Sequence, residues 1–172
     1  VLELKDLSER VDALIRAAHR QAWELRPSEL DHLGLEAALQ HYTSIWSERS
    51  GVTTEWKSSG WNDLRLPADV EIALYRVGQE ALTNVTRQAD ATRVSVSLAC
   101  REHEVGVAVQ DNGTGFEPGT TTGRVGIVGM RERMLLIGGE LEIHSGSGEG
   151  TTITAHFPLT RSGDVRAAEH GP

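Results

Sequence analysis

Val105-Gly106-Val107-Ala108-Val109-Gln110-Asp111-Asn112-Gly113-Thr114-Gly115-Phe116 decides how the rest of the chain is read. Apolar residues alternate at Val105, Val107 and Val109, the period of a strand with one buried face. The strand runs straight into Asp111 and a pair of glycines. A carboxylate at a strand end can accept a hydrogen bond from an exocyclic amine. Glycines let backbone approach a flat ring without a Cβ in the way. The plain alternative is an Asn-Gly hairpin turn, but more glycine follows rather than a second strand. Upstream, Val94, Val96, Leu98 and Cys100 alternate, and residues 101–104 are polar, so these two strands read as a β-hairpin.

Working outward, Pro67 sits at a natural first helical position, and Val70, Leu74, Val77, Ala81 and Val85 form an apolar stripe behind it. At about 100° per residue, Glu80, Asn84 and Arg87 share one side of that helix. Asn84 stands at the edge of the stripe, where a buried amide needs partners that a ligand or metal can supply. A polar shoulder bonded to nearby loops would look the same. Before it come a helix over about 34–50, with Leu35, Ala38, Leu39, Tyr42 and Trp46 on one face and Gly51 closing it, and a short strand over 52–57.

Downstream, Gly123-Arg124-Val125-Gly126-Ile127-Val128-Gly129 reads as a glycine-rich loop opening a short helix over 130–137, stopped by Gly138 and Gly139. Such a loop can cradle phosphate on backbone N–H groups. It matches neither a P-loop nor a dinucleotide fingerprint. Residues 141–144 and 152–157 read as a second hairpin across Gly148-Glu149-Gly150-Thr151, whose plain reading is a flexible turn. Hairpins dominate, with helices between them. The expected fold class is therefore α+β: a two-layer sandwich of a mixed, mostly antiparallel sheet with helices on one face.

The chain has 172 residues and a formal charge of −8, the wrong sign for a general nucleic-acid coat. A single cysteine, Cys100, excludes an intramolecular disulfide and a multi-cysteine zinc site. No apolar run reaches the roughly 18 residues of a membrane span, so no membrane contact and a cytoplasmic setting are expected, any anchor lying upstream. Leu4, Leu7, Val11, Leu14, Ala18 and Leu25 form a heptad-like stripe that needs a second helix to cover it. The chain opens without Met inside this stripe and is expected to be a piece of something longer. Residues 1–33 read as a helical region and linker, 34–160 as the main domain, and 161–172 as a disordered tail.

The segments Glu80…Asn84, Asp111-Asn112-Gly113-Thr114-Gly115-Phe116, Gly126-Ile127-Val128-Gly129-Met130-Arg131-Glu132-Arg133 and Gly148-Glu149-Gly150-Thr151-Thr152, in this order, resemble the N, G1, G2 and G3 boxes of the Bergerat-fold (GHKL) ATPases. Tyr75-Arg76-Val77-Gly78-Gln79-Glu80-Ala81-Leu82-Thr83-Asn84 and Leu25-Arg26-Pro27-Ser28-Glu29-Leu30 look like nitrate-sensor-type sensor histidine kinases. The resemblance implies a Bergerat-type sandwich preceded by an N-terminal dimerisation-type helix, and ATP and Mg²⁺ as cofactors. It implies that Asp111 binds the adenine amino group, that Asn84 ligates Mg²⁺, and that Glu80 works near the γ-phosphate. Arg87 would touch phosphate, Gly113, Gly115, Gly126 and Gly129 would shape the pocket and its lid, and Thr151 would help hold the base through water. A response regulator as partner and a homodimer through the N-terminal helices are implied in the same way. Gln88 departs from the family, which has His there, and the lid between Phe116 and Gly126 is short.

The phosphoacceptor of such kinases is a helical His followed by an acid. Among the seven histidines only His103 precedes an acid, Glu104, and it falls in a hairpin connection. His19 has the helical setting but is followed by Arg20. The acceptor is therefore expected upstream of Val1. Two rival readings stand beside the kinase: a Bergerat-fold nucleotide-binding regulator without kinase activity, and a helix–sheet adaptor with no ligand.

Overall fold

The computed structural model describes residues 27–61, 64–117 and 124–159. The expectations for the heptad stripe before residue 27, the middle of the lid and the tail after residue 160 lie outside the described residues, as does the side chain of Gln88.

Helix α1, Ser28–Ser50, follows Pro27 and is broken at Gly34, whose φ of 75° and ψ of 174° interrupt the helical path. Its regular part therefore starts at the expected place, and Gly51 caps it in the left-handed conformation with its N–H on the Ser47 carbonyl. Strand β1, Thr53–Ser59, leads to helix α2, Ala68–Asn84, behind Pro67. Leu35, Ala38, Leu39 and Trp46 of α1 and Val70, Leu74, Val77 and Ala81 of α2 are buried, as the two stripes require. Tyr42 meets Tyr75 edge-on at 6.0 Å where the helices cross.

After Asn84 the chain winds one π-helical turn, Val85–Ala89, and leaves it at Asp90 in the left-handed region. The wider turn ends the α-helical wheel at Asn84, so Arg87 does not continue the Glu80–Asn84 face as α spacing predicts. The Trp46 indole N–H donates to the Thr86 hydroxyl at 3.0 Å and ties this turn to α1.

Strands β2, Arg93–Cys100, and β3, Glu104–Asp111, form the first hairpin. Helix α3 spans Arg124–Leu136, and β4, Glu140–Gly146, pairs with β5, Gly150–Pro158, as the second hairpin. The sheet order is β1-β2-β3-β5-β4, parallel between β1 and β2 and antiparallel elsewhere. The α+β class with a mixed, mostly antiparallel sheet is observed.

Cross-strand register sets the core in rows. Leu98, Val107, Ala155 and Leu141 form one row, and Val96, Val109, Ile153 and Ile143 the next. All three α-helices of the described residues contact the sheet, and these rows are buried except for the half-buried Ile143. The third row, Val94, Asp111, Thr151 and Ser145, turns polar at the end of the same face.

Helix α3 corrects the expectation for the glycine segment. The helix begins at Arg124 rather than Met130, so Gly126 and Gly129 lie inside its first turns and not in a loop before it. Neither has a positive φ. A glycine costs a helix roughly 1 kcal/mol against alanine. The fully buried Met130 and Met134, with half-buried Ile127, offset that by removing apolar surface from water.

Candidate functional site

Two buried carboxylates occur among the described residues, and they differ in their partners. Glu71 sits at the start of α2 with the Arg65 Nε 3.1 Å away, and Arg65 also donates to the Leu30 carbonyl at 3.2 Å. That pair fastens the broken start of α1 to α2. Asp111 has no cation beside it among the described residues. Its Oδ1 accepts the Gly113 N–H at 2.8 Å. Burial pushes its pKa up, against the opposing pull of the Gly113 and Thr151 backbone N–H groups. A buried carboxylate held only by backbone donors keeps lone pairs for something else.

The loop after Asp111 is fixed from two sides. Asn112 faces away from the site: its Oδ1 accepts the N–H groups of Thr92 and Arg93 at 3.0 and 2.9 Å, and its Nδ2 donates to the Thr92 hydroxyl. Gly115, at φ 60°, lies against the β4–β5 turn so closely that a Cβ would overlap the Gly146 carbonyl oxygen. The Gly148 N–H reaches the Thr114 carbonyl at 2.6 Å. The sequence assigned Gly115 to the pocket wall, and this backbone-to-backbone approach is why it must be glycine.

Ser145 completes the enclosure and was not singled out from the sequence. Its Oγ accepts the Phe116 N–H at 2.9 Å, donates to the Gly150 carbonyl at 3.0 Å, and lies 3.0 Å from the Thr151 Oγ1. The alternation Leu141, Ile143, Ser145 carried the signal: it puts a hydroxyl at the inward end of an otherwise apolar face.

Thr151 stands opposite Asp111 in register, on the same face and half-buried. Gly113 is buried beside the carboxylate it donates to. These residues form the first cluster.

Glu80 and Asn84 form the second, one turn apart on α2 and both half-buried. Asn84 makes no side-chain hydrogen bond among the described residues, so its amide oxygen is available to a ligand. Gly126 meets Glu80 directly: a Cβ there would overlap the Glu80 Oε1. That atom is the movable end of a side chain, so the contact marks where the first turn of α3 lies against Glu80 rather than a position that must be glycine. A Cβ at Gly129 would meet nothing within 4 Å, so packing does not explain that glycine. Arg87 is exposed on the π-helical turn beyond Asn84.

Two further cations belong to this cluster and were missed. Burial, then the neighbouring Arg76, push the Arg133 guanidinium down to about 10, while Glu80 and Glu132 hold it up. Arg76 donates to the Gln79 Oε1 at 2.9 Å. Arg133 lies two helical turns past Gly126, on the α3 side that faces α2, and that spacing was its only trace in the sequence.

Residues 69–161 match the family model described as histidine kinase-, DNA gyrase B-, and HSP90-like ATPase. The chain is 36% identical over 159 residues to the signal transduction histidine-protein kinase/phosphatase DegS of Brevibacillus brevis, covering 92% of this chain and 41% of that protein. It is 40% identical over 166 residues to the sensor histidine kinase MctS of Rhizobium johnstonii, covering 94% of this chain and 36% of the relative. The oxygen sensor histidine kinase NreB of Staphylococcus carnosus is 36% identical, over 92% of this chain and 47% of its own length. The chain thus spans less than half the length of these curated relatives. Among solved structures, the histidine kinase domain of an Erythrobacter litoralis blue-light activated histidine kinase superposes with a TM-score of 0.58 at 23% identity, over 73% of this chain and 61% of that one. That likeness bears on the fold.

Proposed function

Because the chain belongs to the histidine kinase-, DNA gyrase B- and HSP90-like ATPase family, we propose that it is the ATP-binding catalytic part of a two-component sensor histidine kinase. In this reading it passes the γ-phosphoryl of MgATP to a histidine imidazole upstream of Val1. The observation that carries the reading is Asp111: a buried carboxylate without a cation, held by backbone N–H groups, at the end of a strand whose next residues are pinned glycine loop.

The chain's own groups divide the work. Asp111 accepts the exocyclic amine of adenine, with Thr151 beside it. Asn84 offers an unbonded amide oxygen, a hard ligand of the kind Mg²⁺ takes when phosphates and water complete its shell. When bound, Mg²⁺ would neutralise phosphate charge. Glu80, half-buried against Gly126, is placed to accept the N–H of an incoming imidazole. Arg87, exposed past Asn84, can follow phosphate into the site. Catalysis of this kind rests on positioning and charge neutralisation.

The described histidines support an acceptor outside this domain. His32 and His41 are exposed on α1 without a following acid, His144 and His156 lie on strands β4 and β5, and His103 stands in the β2–β3 connection, where its carbonyl accepts the Leu159 N–H. A response regulator as downstream partner and pairing of two copies through the N-terminal stripe belong to the same proposal. Among the described residues no helix is long and apolar enough to cross a membrane, and a cytoplasmic setting is proposed.

Asn84→Ala tests the metal assignment. Titration calorimetry with ATP, with and without Mg²⁺, should show Mg²⁺ strengthening binding to the native chain and no longer doing so in the variant. Adenosine should bind both alike. Equal Mg²⁺ enhancement in the variant would remove Asn84 from the metal site.

A further inference from the structure

We propose that Trp46 is a positioning residue for the metal end of the candidate nucleotide site: its indole N–H holds the π-helical turn that follows Asn84, and so fixes where the Asn84 amide points. The inference rests on the reading of Asn84 as the Mg²⁺ ligand.

The turn is not dictated by its own residues. Val85-Thr86-Arg87-Gln88-Ala89 holds neither glycine nor proline, and Arg, Gln and Ala are good α-helix formers. By propensity alone the segment would continue α2. Instead it widens into a single π turn, a geometry that is rare in general and frequent at functional sites. The chain then leaves through Asp90 at φ 44° and ψ 33°, a left-handed position that costs any residue with a Cβ. Backbone of this kind persists where the surroundings hold it.

Holds are found on both sides of the turn. An indole N–H is a donor and never an acceptor, and on a side chain as buried as Trp46 it needs a partner. It meets the Thr86 hydroxyl at 3.0 Å, and that hydroxyl passes its own hydrogen to the Leu82 carbonyl at 3.3 Å. An unbroken series of donors and acceptors thus runs from α1, through the turn, to the last turn of α2. Beyond the turn, Asn112 Oδ1 accepts the N–H groups of Thr92 and Arg93 where β2 begins. The stretch that Asn84 opens is fixed near its start by Trp46 and at its end by Asn112.

The consequence falls on Asn84, the last residue of α2. Its amide makes no side-chain hydrogen bond among the described residues, so its direction is inherited from the backbone around it. Thr86 lies two residues on, inside the turn that starts where α2 ends. Releasing Thr86 lets the turn relax toward the α path and loosens the backbone that aims the amide. Trp46 acts in this scheme through Thr86 and touches no ligand.

The test uses the 172-residue chain and calorimetric titration with ATP, with and without Mg²⁺, and with adenosine. Thr86→Val removes the hydroxyl, nearly keeps the shape and falls on an exposed side chain, so the fold survives it. The Mg²⁺ enhancement of ATP binding should fall by about three- to tenfold, the worth of one neutral hydrogen bond. Adenosine affinity should not change. Trp46→Phe should give the same fall, and the double variant no further one. Thr86→Ser keeps the hydroxyl and should keep the enhancement.

An unchanged enhancement in Thr86→Val would overturn the proposal. So would equal weakening of ATP and adenosine, the result of a purely structural role. Asn84→Ala separates the metal reading from the role of Trp46. If it leaves the enhancement intact, the metal reading fails and the proposal with it. If it abolishes the enhancement while Thr86→Val does not reduce it, only the role of Trp46 fails.

Discussion

Asp111→Asn should weaken ATP binding by roughly 10- to 150-fold, the equivalent of losing one hydrogen bond to a charged group. The substitution keeps the shape of the side chain and turns one acceptor oxygen into a donor, which in the proposed pose would meet the donor face of the adenine amine. Calorimetric titration at neutral pH reads the loss, and equal affinities would reject the assignment.

The pH dependence gives a second signature. Burial raises the Asp111 pKa above its ordinary value of 3.8. In the window from that value up to the raised one, the folded state holds a proton that the unfolded chain has released. Stability therefore falls as pH rises through that window and is level above it. Asp111 is a cost to stability at neutral pH, so the loss of ATP affinity in Asp111→Asn should come without a comparable drop in the unfolding midpoint. Binding by the native chain needs the ionised carboxylate. It should begin to fail on acidification at a higher pH than an ordinary aspartate would give, and Asp111→Asn should lack that limb.

Gly150→Ala should damage the fold more than any of the substitutions at the candidate nucleotide site. Gly150 has a φ of 77°, and a Cβ on it would overlap the Asp111 carbonyl oxygen and stand 3.1 Å from the Asn112 Cα. Both obstacles are backbone, so no side chain can swing aside. Left-handed strain plus displacement of β5 from β3 should cost about 3 kcal/mol or more. For a chain of this size that lowers the melting temperature by about 6–12 °C. Gly148→Ala is the control. Its φ is 79°, but a Cβ there meets nothing within 4 Å, so only the strain of about 1–2 kcal/mol remains. Thermal unfolding of both variants isolates the overlap. Equal losses would mean that β3 and β5 are not held this closely at Asp111.

Much of this architecture was legible because its strands alternate cleanly. Val94, Val96 and Leu98 against Val105, Val107 and Val109 specify both the hairpin and its buried face. The step from Val109 to Asp111 marks where that face stops being apolar, and so pointed to the candidate base site. What escaped notice depends on approach between distant segments. The start of α3 was hidden because Gly126 and Gly129 look like loop residues. The burial of Met130 and Met134 against the rest of the core makes a helix there favourable. The π-helical turn after Asn84 has no periodic signature. It is held in part by Trp46, far away in sequence, through the Thr86 hydroxyl. Ser145 is one serine among many until the register places it beside Thr151.

Phosphoryl transfer tests the central claim most directly. The chain is incubated with γ-labelled ATP and Mg²⁺, first alone and then with a separate polypeptide carrying the phosphoacceptor helices proposed to lie upstream of Val1. No histidine of this chain combines a helical setting with an adjacent acid to take its proton, so the chain alone should stay unlabelled. The added helices should acquire a phosphoryl label that is lost in acid and kept in base, as a phosphohistidine is. Label on His19 or any other histidine of this chain, or bound ATP with no label on the added helices, would contradict the account.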